Sequence, residues 1–229
     1  MDVKIAGKGS ISAGTYEKIK ISGNGKLGGL VQCENLSASG SVCGEELVCA
    51  QKMKISGKAF FSKSVKAKDA CVKGSLRVDG NLCAETLEVG GAVRCGCVQA
   101  EQAKIRGTIR CDKGIEGKKV DICFDGKTNV EYVKSETIVI CGSKGVRIGK
   151  GLLVTRAWKD KANAKIREYI DGDEIKVNDI TCPRVSGKSV RVGSGCNVQL
   201  VQYSEKAEIS PRAKVGKVEK VEDKNCLTY

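Results

Sequence analysis

The strongest constraint on this chain is a beat of 17 residues that runs from Ile19 to about Cys123. Cut at Lys20, the sequence falls into the lines KISGNGKLGGLVQCENL, SASGSVCGEELVCAQKM, KISGKAFFSKSVKAKDA and CVKGSLRVDGNLCAETL, followed by EVGGAVRCGCVQAEQA and KIRGTIRCDKGIEGKKV. Glycine recurs at Gly23, Gly40, Gly57, Gly74 and Gly91 in steps of 17, then at Gly107 after a step of 16. Every later column carries the same one-residue shift, so the deletion lies between Val93 and Val98 and marks a loop. A fixed period of this length is the signature of stacked repeats.

The columns identify the repeat. Ile21, Ala38, Ile55, Val72, Val89, Ile105 and Ile122 share one, and Leu36, Met53, Ala70, Leu87, Ala103 and Val120 another. A third reads Val31, Val48, Val65, Leu82, Val98 and Ile115, and a fourth, of small residues, Cys33, Ala50, Ala67, Ala84, Ala100 and Gly117. Apolar columns lie two apart, which is strand alternation, since successive strand side chains point to opposite faces. Each unit therefore reads as three short strands separated by turns, one coil of an all-β solenoid. The glycine column is expected at corners, where a backbone conformation unfavourable to residues with a Cβ is required. A single coil cannot bury enough side chain to offset its ordering entropy, whereas stacking buries both faces of every coil.

Taken in order, Val3, Ile5 and Gly7 precede Ile19, Ile21 and Gly23 by 16, so coils begin almost at the first residue. The N-terminal block extends to residue 151. Residues 152–165 match no coil and form an insertion, a loop or short helix, that holds the only tryptophan. From Ile166 to the end, residues 166–229, coils resume: Val190, Val192 and Val198 precede Ala207, Ile209 and Val215 by 17. The expectation is one continuous solenoid of about eleven coils, roughly 50 Å long at about 4.8 Å per coil.

Composition narrows the function. There is no apolar run long enough for a transmembrane helix and no signal-peptide core in MDVKIAGKGS, which predicts a cytoplasmic protein. Thirteen cysteines without a secretion signal read as reduced, core-filling thiols. The alternative is that Cys95, Cys97 and Cys111, the first and last sharing a column in adjacent coils, hold a soft metal or form a disulfide. A net charge of +13 points to an acidic partner. Arg77, Arg94 and Arg110 form an outward ladder of like charge, a candidate anion-binding row. In the insertion, Leu152, Leu153 and Trp158 among Arg156, Lys159 and Lys161 are a candidate membrane-surface element, against the plainer reading that the tryptophan covers the solenoid side.

The KISG and GKxxG-like lines of the first half resemble the bactofilins, bacterial polymer-forming cytoskeletal proteins. The stretch DGDEIKVNDITCPRVSGKSVRVGSGCNVQLVQYSEKAEISPRAKVGKV resembles the C-terminal half of longer bactofilin-like proteins of Gram-positive bacteria. The resemblance spans nearly all of the chain outside residues 152–165. It implies a right-handed, three-faced β-helix, nucleotide-independent end-to-end polymerisation, and recruitment of partners to the inner face of the membrane.

Physical chemistry points the same way independently. A β-helix leaves unpaired backbone groups and an apolar core at each end. No amphipathic capping helix is visible, so Val3, Ile5 and Ile11 at one end and Val215, Val218 and Val221 at the other are candidate self-assembly contacts. An enzyme is not expected: the chain has no histidine, unlike six-residue-beat acyltransferase β-helices, and no carboxylate cluster of the polysaccharide-cleaving kind. The expected function is a non-enzymatic scaffold that assembles with copies of itself, without catalytic residues, cofactor or metal. The alternative is a monomeric or small-oligomer binding module for anionic lipid, nucleic acid or cell-wall polymer. Of these, nucleic acid is disfavoured because aromatic residues are only 4% of the chain.

Overall fold

A computed structural model describes residues 1–124, 128–142 and 164–222. Among them there are twenty strands and no helix. Every strand pairing among the described residues is parallel; the steps are 15–19 residues, apart from one of 36–37 between Asn129–Gly142 and Ala164–Val177, so the chain winds as a β-solenoid of about eleven turns. Strands of one turn lie directly on those of the next. Val72, for example, pairs with Ile55 below and Val89 above.

Each N-terminal turn has three sides but two strands. Val65–Val72 covers two sides and bends between them near Lys68, and Ser75–Val78 makes the third. The pairing resumes beyond the bend, from Ala67 opposite Ala84 to Asp69 opposite Thr86. The three short strands expected per coil are thus fused at one corner, because parallel hydrogen bonding tolerates the bend. In the C-terminal turns the fusion is complete: Ala164–Val177, Ile180–Val192 and Asn197–Ile209 each supply one long strand per turn. Ala164 and Lys165 already belong to the first of these, so the coil resumes two residues before the Ile166 read from the sequence. Residues 152–163 lie outside the described residues.

Most columns read from the sequence are rungs of the core. Ile21, Ala38, Ile55, Val72, Val89, Ile105 and Ile122 stack in register and are all buried. The deletion falls where expected. Leu76 pairs with Val93 at a step of 17 and Leu82 with Val98 at 16, so the missing residue is in the corner after Cys95. One turn departs from the reading. Leu47 and Cys49, not Val48 and Ala50, stack between Val31 and Val65 and between Cys33 and Ala67. The register shifts again before Lys52. The segment LVCA offers two alternations, and the one chosen buries leucine in place of valine, a larger apolar area removed from water.

The glycine column is real, but its cause differs from the one expected. Gly23, Gly40, Gly57, Gly74, Gly91 and Gly107 are absent from the residues with positive φ. A Cβ on any of them would instead lie 1.9–2.2 Å from the carbonyl oxygen of the glycine one turn below. Those carbonyls are occupied: Ser41 N donates to Gly23 O, Lys58 N to Gly40 O and Ser75 N to Gly57 O, at 2.9–3.0 Å. The column is a steric requirement of backbone stacking on backbone.

Candidate interaction sites

The two ends of the solenoid are finished differently. The small-residue column, Cys33–Cys49–Ala67 in its first half, begins at Tyr16. In the C-terminal turns the corresponding column of Gly172 and Gly187 runs to Tyr203. Both tyrosines pack against the core, and the Tyr16 hydroxyl donates to Ser12 O at 2.9 Å. A ring fits at Tyr16 because no strand pairs on its other side among the described residues, and at Tyr203 because only the last strand, through Lys220, lies beyond it.

At the N-terminus this ring is joined by a taper. Gly9 and Gly25 stand where Val42 and Leu76 stand in later turns, and the Ile5 side chain leans over Gly9, within 3.4 Å of where a Cβ would be. Ile5 and Ile11 are consequently only 7% and 4% exposed, and Val3 is half-buried. The expectation of an exposed core at both ends therefore needs correction: Ile5 and Ile11 offer strand edge but little apolar surface.

At the other end the last core rungs among the described residues are those of the strand Lys214–Lys220. Val218 pairs with Val201 below it and has no partner above among the described residues; it is 44% exposed. Ile209, which tops the column of Val192, is 36% exposed. Val215 and Val221 are half-buried beside them. Among the described residues the strand Lys214–Lys220 is bonded on one side only, so there it combines a free backbone edge with apolar side chains.

The arginine ladder is in register: Arg77 lies opposite Arg94, and Arg94 opposite Arg110. Arg77 is engaged, donating to Asp79 at 2.9 Å and lying 5.3 Å over the Phe60 ring. Arg94 and Arg110 are exposed and form no ion pair among the described residues. Leu152, Leu153 and Trp158, the candidate membrane-surface element, lie outside the described residues.

Twelve of the thirteen cysteines are described, and all twelve are free thiols. Cys95 and Cys111 lie opposite each other with sulfurs 3.5 Å apart, both buried. Their hydrogen bond and burial push the Cys111 thiol well up. Cys97 turns to Val98 O at 3.7 Å instead of joining them, and no cluster of three metal-ligating side chains exists among the described residues. Two further in-register pairs went unnoticed in the sequence, Cys33–Cys49 and Cys123–Cys141. In the first, the Cys33 thiol hydrogen bonds to Cys49, which raises the pKa of Cys33 and lowers that of Cys49.

A third feature was also missed. Tyr132 and Tyr169 stack at 5.3 Å and 11°, with the Arg184 guanidinium 5.3 Å from the other ring. The Tyr132 hydroxyl donates to Glu116 at 2.6 Å, which raises its pKa. With Lys134 and Gly117 these rings line an open cavity of about 570 Å³. Both ring faces of the stack are already covered, since the Tyr132 ring occupies the space a Cβ on Gly114 would need. The stack bridges the turns of Asn129–Gly142 and Ala164–Val177 and leaves no free ring face for a base or sugar. A 37-residue step from Ile138 to Ile175 separates the two tyrosines' turns, too irregular for a repeat search to align.

No helix among the described residues is long and apolar enough to cross a membrane. No protein-family model, no curated protein and no solved structure matches the chain.

Proposed function

We propose that the chain is a non-enzymatic scaffold of the bactofilin kind, which assembles end to end without nucleotide and acts in the cytoplasm as a surface for partner proteins. The observation that carries this reading is the C-terminal end. Interior strands are bonded on both sides, and the end strand Lys214–Lys220, among the described residues, on one. An edge of this kind templates another chain unless it is blunted. Here the inward positions at the edge are Val215 and Val218, which continue the interior columns of Val198 and Val201. A second copy that adds a strand to this edge covers these valines, as the following turn covers Val198 and Val201 inside the solenoid.

Charge works against assembly. At +13 per chain, copies repel, and salt screens that repulsion over about 10 Å at 0.1 M. Association through the ends therefore strengthens with salt. Ile209→Lys and Val218→Lys change exposed side chains, so the solenoid keeps its circular dichroism while higher-order species are lost on size-exclusion chromatography. Retention of those species by the folded double variant would remove the C-terminal end from the account.

A further inference from the structure

The charge of the chain is not spread evenly over its three sides, and one side has a feature the end-to-end reading does not use. The short strands Lys8–Ile11, Asn24–Leu27, Ser41–Gly44, Lys58–Phe61, Ser75–Val78, Ala92–Cys95 and Thr108–Cys111 stack into a narrow sheet. Each strand shows two residues outward. Those positions hold Lys8, Lys26, Lys58, Arg77, Arg94 and Arg110, and no aspartate or glutamate in any of the seven turns. The neighbouring side is free of carboxylates only as far as Lys54. From Asp69 onward its outward columns mix both signs, with Glu88 opposite Lys104 and Lys206 bonded to Glu208. Solubility alone is served by mixed charge, so an acid-free strip seven turns long needs another reason.

We infer that this strip binds a linear chain of phosphates without bases, of the inorganic polyphosphate type, laid along the solenoid axis. The shape selects the ligand. Two outward residues two apart on a strand span about 7 Å, whereas seven turns span roughly 29 Å. A strip this narrow matches one extended polyanion. A bilayer would also have to meet the carboxylates along the adjoining corner, Glu45, Asp79 and Asp112, which flank a chain but oppose an anionic plane. A nucleic-acid strand gains affinity from stacking on aromatic faces. The strip has one aromatic ring, Phe60, and Arg77 lies over it. Arg94 and Arg110 form no ion pair among the described residues, and each can hold phosphate oxygens with two N–H groups. Ser41, Ser75 and Thr108 stand in the column beside them as neutral donors.

The test uses the full chain at low salt, where end-to-end association is weakest, and inorganic polyphosphate as the probe. Arg94→Glu with Arg110→Glu is compared with Lys104→Glu with Lys119→Glu, which changes the net charge equally on the neighbouring side. The strip predicts at least a tenfold loss of affinity for the first pair, less than threefold for the second, and a shallower salt dependence for the first because fewer counterions are released. Equal losses from both pairs would reduce the effect to net charge and overturn the proposal. So would single-stranded DNA or anionic phosphatidylglycerol vesicles binding as tightly as polyphosphate with the same sensitivity, or no binding of polyphosphate at 50 mM salt. Assembly at high salt without polyphosphate is a separate measurement, so either idea can fail alone.

Discussion

Gly90 and Gly91 are adjacent, yet alanine should act oppositely at the two. At Gly91 the new methyl would sit 2.0 Å from Gly74 O and 2.7 Å from Lys73 O. A carbon needs about 3.3 Å from a carbonyl oxygen, so the turns must part locally by more than 1 Å. The hydrogen bond from Ala92 N to Gly74 O, 2.9 Å long, then opens beyond bonding distance, and that from Gly90 N to Val72 O at 2.7 Å is strained with it. Losing one or two backbone bonds while leaving a donor or acceptor unsatisfied costs about 2–5 kcal/mol. The lower entropy of the unfolded alanine chain returns only about 0.4–1 kcal/mol. Gly91→Ala is therefore expected to destabilise by roughly 2–4 kcal/mol. At Gly90 nothing lies within 4 Å of the added Cβ and φ is not positive. Gly90→Ala is expected to be neutral or stabilising by up to about 1 kcal/mol. Guanidinium unfolding followed by circular dichroism compares the midpoints at unchanged slope. If Gly91→Ala unfolds with the natural chain, or if both variants lose equally, steric stacking is not what the glycine column provides.

The register in the third full turn is checked by Leu47→Ala, expected to cost about 2–5 kcal/mol as a buried deletion, against Val48→Ala at under about 1 kcal/mol; the reverse order in unfolding midpoints would restore the register first read from the sequence. Burial and the Cys123 hydrogen bond push the Cys141 thiol up to about 11, and burial pushes Cys182 to about 12. These folded values lie above those of the unfolded thiols, so their contribution is complete below about pH 8.5 and is lost as pH rises through 11 and 12. Unfolding midpoints should fall over that window, and Cys141→Ser with Cys182→Ser should flatten the fall. Native mass spectrometry should find thirteen free thiols and no metal; stoichiometric zinc held through Cys95, Cys97 and Cys111 would contradict the core-filling role.

Periodicity made the fold legible, because a solenoid repeats the same contact and each column reports one position many times. It failed where two local alternations compete, as in Leu47–Cys49, since spacing cannot weigh a leucine against a valine in a shared core. It identified the glycine column but not its cause, because close approach between turns is a property of the stack and not of one residue. The ends were harder. Ile5 reads as an ordinary strand residue, and only the taper over Gly9 shows that it is covered. Arg77, Arg94 and Arg110 were visible as a row, while the absence of carboxylates around them emerged only when all seven strands were placed on one side. Tyr132 and Tyr169 lie 37 residues apart and could not be joined by a 17-residue period.

Sedimentation velocity of the unmodified protein across protein concentration and salt tests end-to-end assembly most directly. End-to-end assembly predicts a broad series of species that shifts to larger sizes as protein and salt increase, because the apolar edge at Val218 and Ile209 is then less opposed by charge. A single monomeric boundary at high concentration and high salt would contradict the scaffold reading.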